Sequence, residues 1–103
     1  MQDAIKQFAA SEKHKVAAIC ASPMAVWDAR AFAGARVTCY PGCEERLPHD
    51  LHYRFVNNEK TVVDGRLITS RGPGTAIDFA LTILKETKGM QVRDKVAQDI
   101  LAD

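Results

Sequence analysis

The run Val16-Ala17-Ala18-Ile19 shows no polar alternation and breaks off at Cys20-Ala21-Ser22-Pro23. A short, continuously apolar strand is expected in a parallel sheet with helices packed on both faces. Pro23 suits the first turn of a helix, where its missing N–H has no partner to lose. Met24, Val26, Trp27, Ala31 and Phe32 then supply an apolar helical face to about Ala33. Strand, sharp turn and helix therefore follow one another, with the cysteine at the bend. Such a turn directs a side chain out of the carboxyl edge of the sheet and sets it beside the first N–H groups of the helix, which favour a thiolate. Cys20 is accordingly read as a reactive thiol rather than a core residue.

Elsewhere, Ala4, Ile5, Phe8 and Ala9 recur at helical spacing and predict an amphipathic helix over residues 2–11. Arg36 to Tyr40 reads as a short strand entering Pro41-Gly42, followed by a loop over 43–51. Tyr53 to Val56 and Lys60 to Val63 are β-like, and Asp64-Gly65 before Leu67-Ile68 is a two-residue hairpin signal. Residues 52–69 are thus expected to form antiparallel strands. Ser70-Arg71-Gly72-Pro73-Gly74-Thr75 opens a helix with Ile77, Ala80, Leu81 and Leu84 on one face. Ala76, Phe79 and Ile83 nearly close the circle, which predicts cover on most sides. Gly89 ends that helix, and Val92, Val96 and Ile100 mark a last one near 90–101. One buried parallel strand demands parallel neighbours, and the leading helix stands where a βαβ pattern would set more strands. The chain reads as the second half of a larger α/β unit.

With 103 residues there is room for one domain. The net charge is +1 and the basic residues are dispersed without interleaved aromatics, so no nucleic-acid surface is expected. No apolar run approaches the ~20 residues of a membrane span. Met1-Gln2-Asp3-Ala4-Ile5 has neither the basic nor the apolar segment of a secretory signal, so a soluble chain in the reducing cytoplasm, with free thiols, is expected. Cys20, Cys39 and Cys43 include no CxxC pair and the histidines are not clustered, which argues against a metal site. Cys39 and Cys43 read as small half-buried residues, with the alternative that one of them resolves an oxidised Cys20. His14, His49 and His52 lie in polar segments, where solvation is expected; only the last two are candidates to approach a pocket at Cys20. Gly72-Pro73-Gly74-Thr75 lacks the Lys-Ser or Lys-Thr of a nucleotide P-loop, so ATP is not expected. Arg71 beside it either recognises an anion or holds the loop or a dimer interface. Trp27 and Phe32 belong to the core or an interface.

Over Ala17-Ala18-Ile19-Cys20-Ala21-Ser22-Pro23, and again from Leu67-Ile68-Thr69-Ser70-Arg71-Gly72-Pro73-Gly74-Thr75 to Leu81, the chain resembles the ThiJ/PfpI superfamily. Within it, the likeness is to the DJ-one-like group of parkinsonism-associated protein deglycases and their bacterial and plant relatives. The two motifs stand at that family's separation, with the Asp64-Gly65 hairpin ahead of the second. The likeness covers essentially all of residues 1–103 and corresponds to the carboxyl-terminal half of the family fold. It implies a single partial domain of a flavodoxin-like three-layer α/β fold with a nucleophile elbow and a β-hairpin, no cofactor and no metal. It also implies a complementary amino-terminal half, in a separate chain or a missing segment, and commonly a homodimer of the complete unit.

The resemblance further implies that Cys20 is the nucleophile, reactive toward small dicarbonyls and oxidisable to the sulfinate. The amides of Cys20 and Ala21 would hold an oxyanion, and Ser22, Arg71, Gly72 and Pro73 would line the pocket. The family's acidic partner of the cysteine and its glycine pair belong to the amino-terminal half. Where some members have a histidine, this chain has Tyr40, a phenol suited to orient a substrate oxygen rather than to shuttle a proton. The implied activity is that of a cofactor-free glyoxalase or protein deglycase acting on methylglyoxal or its adducts. The alternative is a non-enzymatic redox sensor or redox-regulated chaperone. A cysteine peptidase or amidase is weaker, since it needs a placed histidine. A fragment inert until paired with its other half is also consistent with the sequence.

Overall fold

The computed structural model describes residues 2–102; Met1 and Asp103, the two ends of the expected 1–103 span, lie outside the described residues. The elements are α1 (Gln2–Ala10), β1 (Val16–Ile19), α2 (Pro23–Asp28), β2 (Arg36–Val37), β3 (Arg54–Phe55), β4 (Thr61–Asp64), β5 (Leu67–Ser70), α3 (Ala76–Lys88) and α4 (Met90–Asp99). The loop expected over 43–51 contains two 3-10 turns, Cys43–Arg46 and His49–Leu51, and a third spans Pro73–Thr75 ahead of α3.

Three strands form a sheet in the order β1-β5-β4, with β1 parallel to β5 and β4 antiparallel to it. The β4–β5 hairpin pairs Asp64 with Leu67, so its two central residues are Gly65 and Arg66, one position later than the Asp64-Gly65 signal suggests. Of these two only Gly65 has a positive φ, +59°, the pattern of a type II′ turn with glycine first. β3 departs from the antiparallel expectation: it runs parallel to β2, Arg36 opposite Arg54 and Val37 opposite Phe55. The strand-forming residues 53–56 select no partner by themselves, and here Arg54 and Val56 donate to the Ala35 and Val37 carbonyls at 2.9 and 2.8 Å. β2 is fastened to the hairpin by the Arg36 N–H on the Asp64 carboxylate at 2.8 Å and its guanidinium on the Val63 carbonyl at 3.0 Å.

The core gathers Ala18, Val26, Trp27, Ala31, Val37, Cys39 and Leu67, with Ile5, Met24, Phe32 and Tyr53 packed against them. Trp27 is 1% exposed and belongs to this core. The α2 helix ends at Asp28 rather than near Ala33. The chain leaves the helix where Arg30 takes a left-handed conformation, φ +57°, and its guanidinium pairs with the exposed Asp50 carboxylate. The Ala31 and Arg30 N–H groups then close on the Val26 and Trp27 carbonyls at 3.1 and 3.0 Å, the two bonds of a Schellman motif. Arg66, in the hairpin turn, reaches the other way and donates to the carbonyls of Phe8, Ala9, Ser11 and His14, capping the carboxyl end of α1. Its guanidinium also lies 5.4 Å from the Phe32 ring centroid.

Two burial expectations are corrected. The strand buried on both faces is β5, whose four residues are all buried; in β1 only Ala18 is, and Ala17 is exposed. β5 has a strand on each side, whereas β1 pairs with β5 alone among the described residues. Likewise α3 buries only Leu81 and leaves Ile77 59% exposed, although its apolar circle predicts wide cover. α3 packs on α4, β5, β1 and β4, so only part of its circumference meets a neighbour.

Candidate active site at the strand-end elbow

Cys20 follows β1 in the left-handed region at φ +68°. That backbone places Cβ close to the following carbonyl and costs an L-residue about 1–2 kcal/mol, so it persists only where the surroundings hold it. Three bonds do so. The Cys20 N–H donates to the Ser70 carbonyl at 3.1 Å, the Cys20 carbonyl accepts the Tyr40 N–H at 2.7 Å, and the Ser22 N–H returns to the Ile19 carbonyl at 3.1 Å. Ala21 and Ser22 then give their carbonyls to the Met24 and Ala25 N–H groups, at 3.1 and 2.9 Å, as α2 begins at the buried Pro23. Helix entry so soon after the strand turns the chain sharply and leaves the Cys20 side chain partly exposed.

Because the Cys20 amide serves Ser70 and the Ser22 amide serves Ile19, neither is free for an oxyanion. Ala21 is the elbow residue whose N–H makes no hydrogen bond among the described residues. Ser22 is exposed, and its hydroxyl does not cap the helix.

Tyr40 reaches this site by two routes. Its backbone bonds the Cys20 carbonyl, and its ring lies against Gly72: a Cβ built there would sit 3.4 Å from Tyr40 Cδ1. Tyr40 remains 49% exposed, open to a solvent-borne ligand. The structure therefore brings together Cys20, Tyr40 and Gly72, three residues singled out from separate segments of sequence. Pro73, exposed, begins the 3-10 turn that follows Gly72.

Beneath Gly72 lies a hydroxyl network that sequence reasoning passed over. The Ser70 hydroxyl donates to the Lys60 carbonyl at 2.7 Å and stands 2.9 and 2.7 Å from the Thr61 and Thr75 hydroxyls. Thr75 Oγ1 in turn accepts the Gly72 N–H at 3.1 Å. Only the strand register, which sets Thr61 opposite Ser70, assembles these groups. The network fixes the Ser70 backbone that receives the Cys20 amide.

Arg71 ties neighbouring loops together. Its Nε and Nη1 donate to the Cys39 and Asn57 carbonyls, both at 3.1 Å, and its guanidinium lies 5.7 Å from the Phe55 ring centroid. Of the two readings of Arg71, this geometry is that of a loop strap. Cys39 is fully buried, and its thiol is pushed up to about 12, first by burial and then by Glu44 and Cys43, with Arg71 opposing. Its thiolate is disfavoured, and the buried side chain is closed to a solvent-borne substrate. His49 and His52 line a cleft with Glu44, Glu45 and Tyr53, of which Cys20 is not part. His14 is exposed but not free of partners: its Nδ1 lies 2.8 Å from the Ser11 hydroxyl and its ring meets Phe8 edge-on at 4.9 Å.

The fold as a whole has counterparts in known proteins. The sequence profile of the DJ-1/PfpI family matches residues 1–86. The chain belongs to the DJ-1/PfpI family. Protein dj-1beta of Drosophila melanogaster is 41% identical over 86 residues, which are 84% of this chain and 45% of that protein. The crystal structure of Drosophila melanogaster DJ-1beta superposes with a TM-score of 0.89 at 36% identity, covering 97% of this chain and 52% of that one. Parkinson disease protein 7 homolog of Danio rerio is 38% identical over 89 residues, 86% of this chain and 47% of that protein. A Caenorhabditis elegans protein named glutathione-independent glyoxalase is 35% identical over 74 residues, 72% of this chain and 38% of its own length. The chain thus spans about half the length of the Drosophila and Danio DJ-1 proteins, and its fold corresponds to part of their flavodoxin-like α/β domain. Among the described residues of this DJ-1/PfpI chain, no helix is long and apolar enough to cross a membrane.

Proposed function

We propose that this chain carries the nucleophile portion of a cofactor-free glyoxalase or protein deglycase, with residues 1–103 forming one partial domain that a complementary amino-terminal half completes. The observation that carries the reading is Cys20 itself, held at φ +68° between the Ser70 and Tyr40 backbones with its side chain partly exposed. Strain maintained by so many bonds at a potentially nucleophilic side chain is characteristic of a functional position. The kinship with a glyoxalase-named relative supports the same chemistry.

In this mechanism the Cys20 thiolate adds to the aldehyde carbon of methylglyoxal, or displaces the thiol, amine or guanidine from that carbon of its adduct, which leaves protonated, to give a hemithioacetal. The Ala21 N–H receives the developing oxyanion, and the Tyr40 hydroxyl orients the neighbouring carbonyl oxygen above Gly72. A base removes the hemithioacetal C–H proton and a proton returns to the adjacent carbon, leaving a lactoyl thioester. Water cleaves that thioester to lactate and regenerates the thiol. The base is a carboxylate of the complementary half, and the assembled unit is a homodimer of the reducing cytoplasm, where Cys20 stays a free thiol. The decisive assay is lactate production from methylglyoxal by the chain together with its complementary half, with Cys20→Ser alongside. Activity that survives Cys20→Ser overturns the assignment.

The unpaired Ala21 N–H beside Cys20 favours one second reading, a redox sensor whose Cys20 sulfinate accepts that hydrogen bond. Peroxide would then add two oxygens to Cys20 in a chain that makes no lactate.

A further inference from the structure

Cys39 and Cys43 take no part in the chemistry assigned to Cys20. They flank a reverse turn, Tyr40-Pro41-Gly42-Cys43, closed by the Cys43 N–H on the Tyr40 carbonyl at 3.0 Å. Proline in the second position and Gly42 at φ +98° in the third are the marks of a type II turn. The Glu44 carboxylate secures it by accepting the Gly42 N–H at 2.7 and 3.2 Å. The reversal returns Cys43 to pack against the core cluster that contains Cys39. The two thiols are near enough for Cys43 to oppose ionisation of Cys39. A disulfide needs Cα atoms within about 7 Å. A turn of this type holds the Cα atoms of Tyr40 and Cys43 within about 7 Å, and closure from Cys39, the residue before Tyr40, draws the turn in as the S–S bond forms.

We propose that Cys39 and Cys43 form a dithiol site that closes to a disulfide across the Tyr40-Pro41-Gly42 turn when a hydroperoxide oxidises Cys43. Cys43 is the entry point because it is partly exposed, whereas Cys39 is fully buried. The Cys43 sulfur takes one oxygen from the hydroperoxide, becoming a sulfenic acid and releasing water or an alcohol. Cys39, having lost its proton, attacks that sulfur and expels hydroxide, which leaves as water. Two thiol hydrogens and two electrons pass to the hydroperoxide, and one S–S bond forms. Because the thiolate of Cys39 is disfavoured, the closing step is slow at neutral pH and accelerates as pH rises. The site is independent of any reactivity at Cys20, although closure stiffens the turn that carries Tyr40.

Trypsin separates the two chemistries. Cleavage after Arg36 and Arg46 releases Val37–Arg46 with both cysteines, while Cys20 falls within Val16–Arg30. The folded chain is treated with hydrogen peroxide, alkylated, digested and weighed by mass spectrometry. The expected product is an unalkylated Val37–Arg46 peptide lighter by two hydrogens, formed faster at alkaline than at neutral pH and lost in Cys43→Ser. The same product in equal yield from Cys20→Ser shows its independence of the elbow. A Val37–Arg46 peptide that remains alkylatable, a Cys43 that gains oxygens without an S–S bond, or a cross-link between Val37–Arg46 and Val16–Arg30 overturns the proposal. The unmutated chain alone gives this answer, so a misfolded variant does not obscure it, and either result leaves the lactate test of Cys20 unaffected.

Discussion

Tyr40 is bonded to the residue it is proposed to assist: its backbone N–H meets the Cys20 carbonyl at 2.7 Å. This bond is one of the three that hold the left-handed elbow, and it comes from the residue whose ring lies against Gly72. Structural support and substrate contact converge on the same residue, so changes on either side of the bond are expected to be felt at the site.

Glycine at position 20 should relieve the elbow. Left-handed backbone penalises a Cβ by about 1–2 kcal/mol, while glycine occupies it freely at some cost in unfolded-state entropy. Cys20→Gly is therefore expected to be more stable than Cys20→Ala by about 1 kcal/mol in urea unfolding, with both variants inactive toward methylglyoxal. Equal stabilities would mean that the φ of +68° carries no strain.

Substitutions at Gly72 should grade with size. Its extended backbone, φ 179°, suits any residue, and a methyl group would sit 3.4 Å from Tyr40 Cδ1, in ordinary contact. Gly72→Ala is expected to change stability by less than about 1 kcal/mol, whereas Gly72→Leu must displace the ring at a cost of about 1–3 kcal/mol. Adding Tyr40→Ala should recover part of that loss in a double-mutant cycle.

Arg66→Ala should unfasten α1. Four carbonyls lose a charged donor and Phe32 loses its cation contact. Hydrogen bonds to charged groups contribute roughly 1.5–3 kcal/mol net each, and because carbonyls freed at this partly exposed site return to water, a loss of about 2 kcal/mol is expected. Arg66→Lys should recover little, because one ammonium cannot span the same carbonyls. Hydrogen exchange in residues 2–10 gives the direct readout, with faster exchange in both variants.

Stability should fall in alkali. Burial raises the Cys39 thiol from 9.0 to about 12 and the Tyr53 phenol from 10.0 to about 12. Folding thus favours the neutral forms: the stabilisation is complete below the unfolded-state values and is lost as pH climbs through the window up to about 12. Melting temperatures should hold near neutrality and drop across that window, and Cys39→Ala should flatten the early part of the drop. A drop that begins at neutral pH would point to other groups.

How legible the chain was varies with how far each feature reaches. The limits of β1, the bend at Cys20, the glycine end of α3 and the existence of the hairpin followed from residues within a few positions of one another. Apolar runs, Pro23, Gly65 and Gly89 act through backbone freedom and local hydrogen bonds, which depend on neighbours in sequence. The end of α2 was not legible, since Arg30 turns left-handed toward Asp50, twenty residues on. Nor were the parallel β2–β3 pair or the Ser70–Thr61–Thr75 hydroxyls, and for Arg71 the sequence left a loop-holding role and an anion-binding one side by side. Strand partners, hydroxyl networks and the burial of a helix face are relations between segments that only packing sets side by side. The sequence by itself determined a strand that ends in a sharp turn at a cysteine. The tertiary structure decided which amides that elbow leaves free, that Tyr40 and Gly72 stand beside it, and which apolar faces are covered, because each depends on which groups from distant segments come within bonding distance.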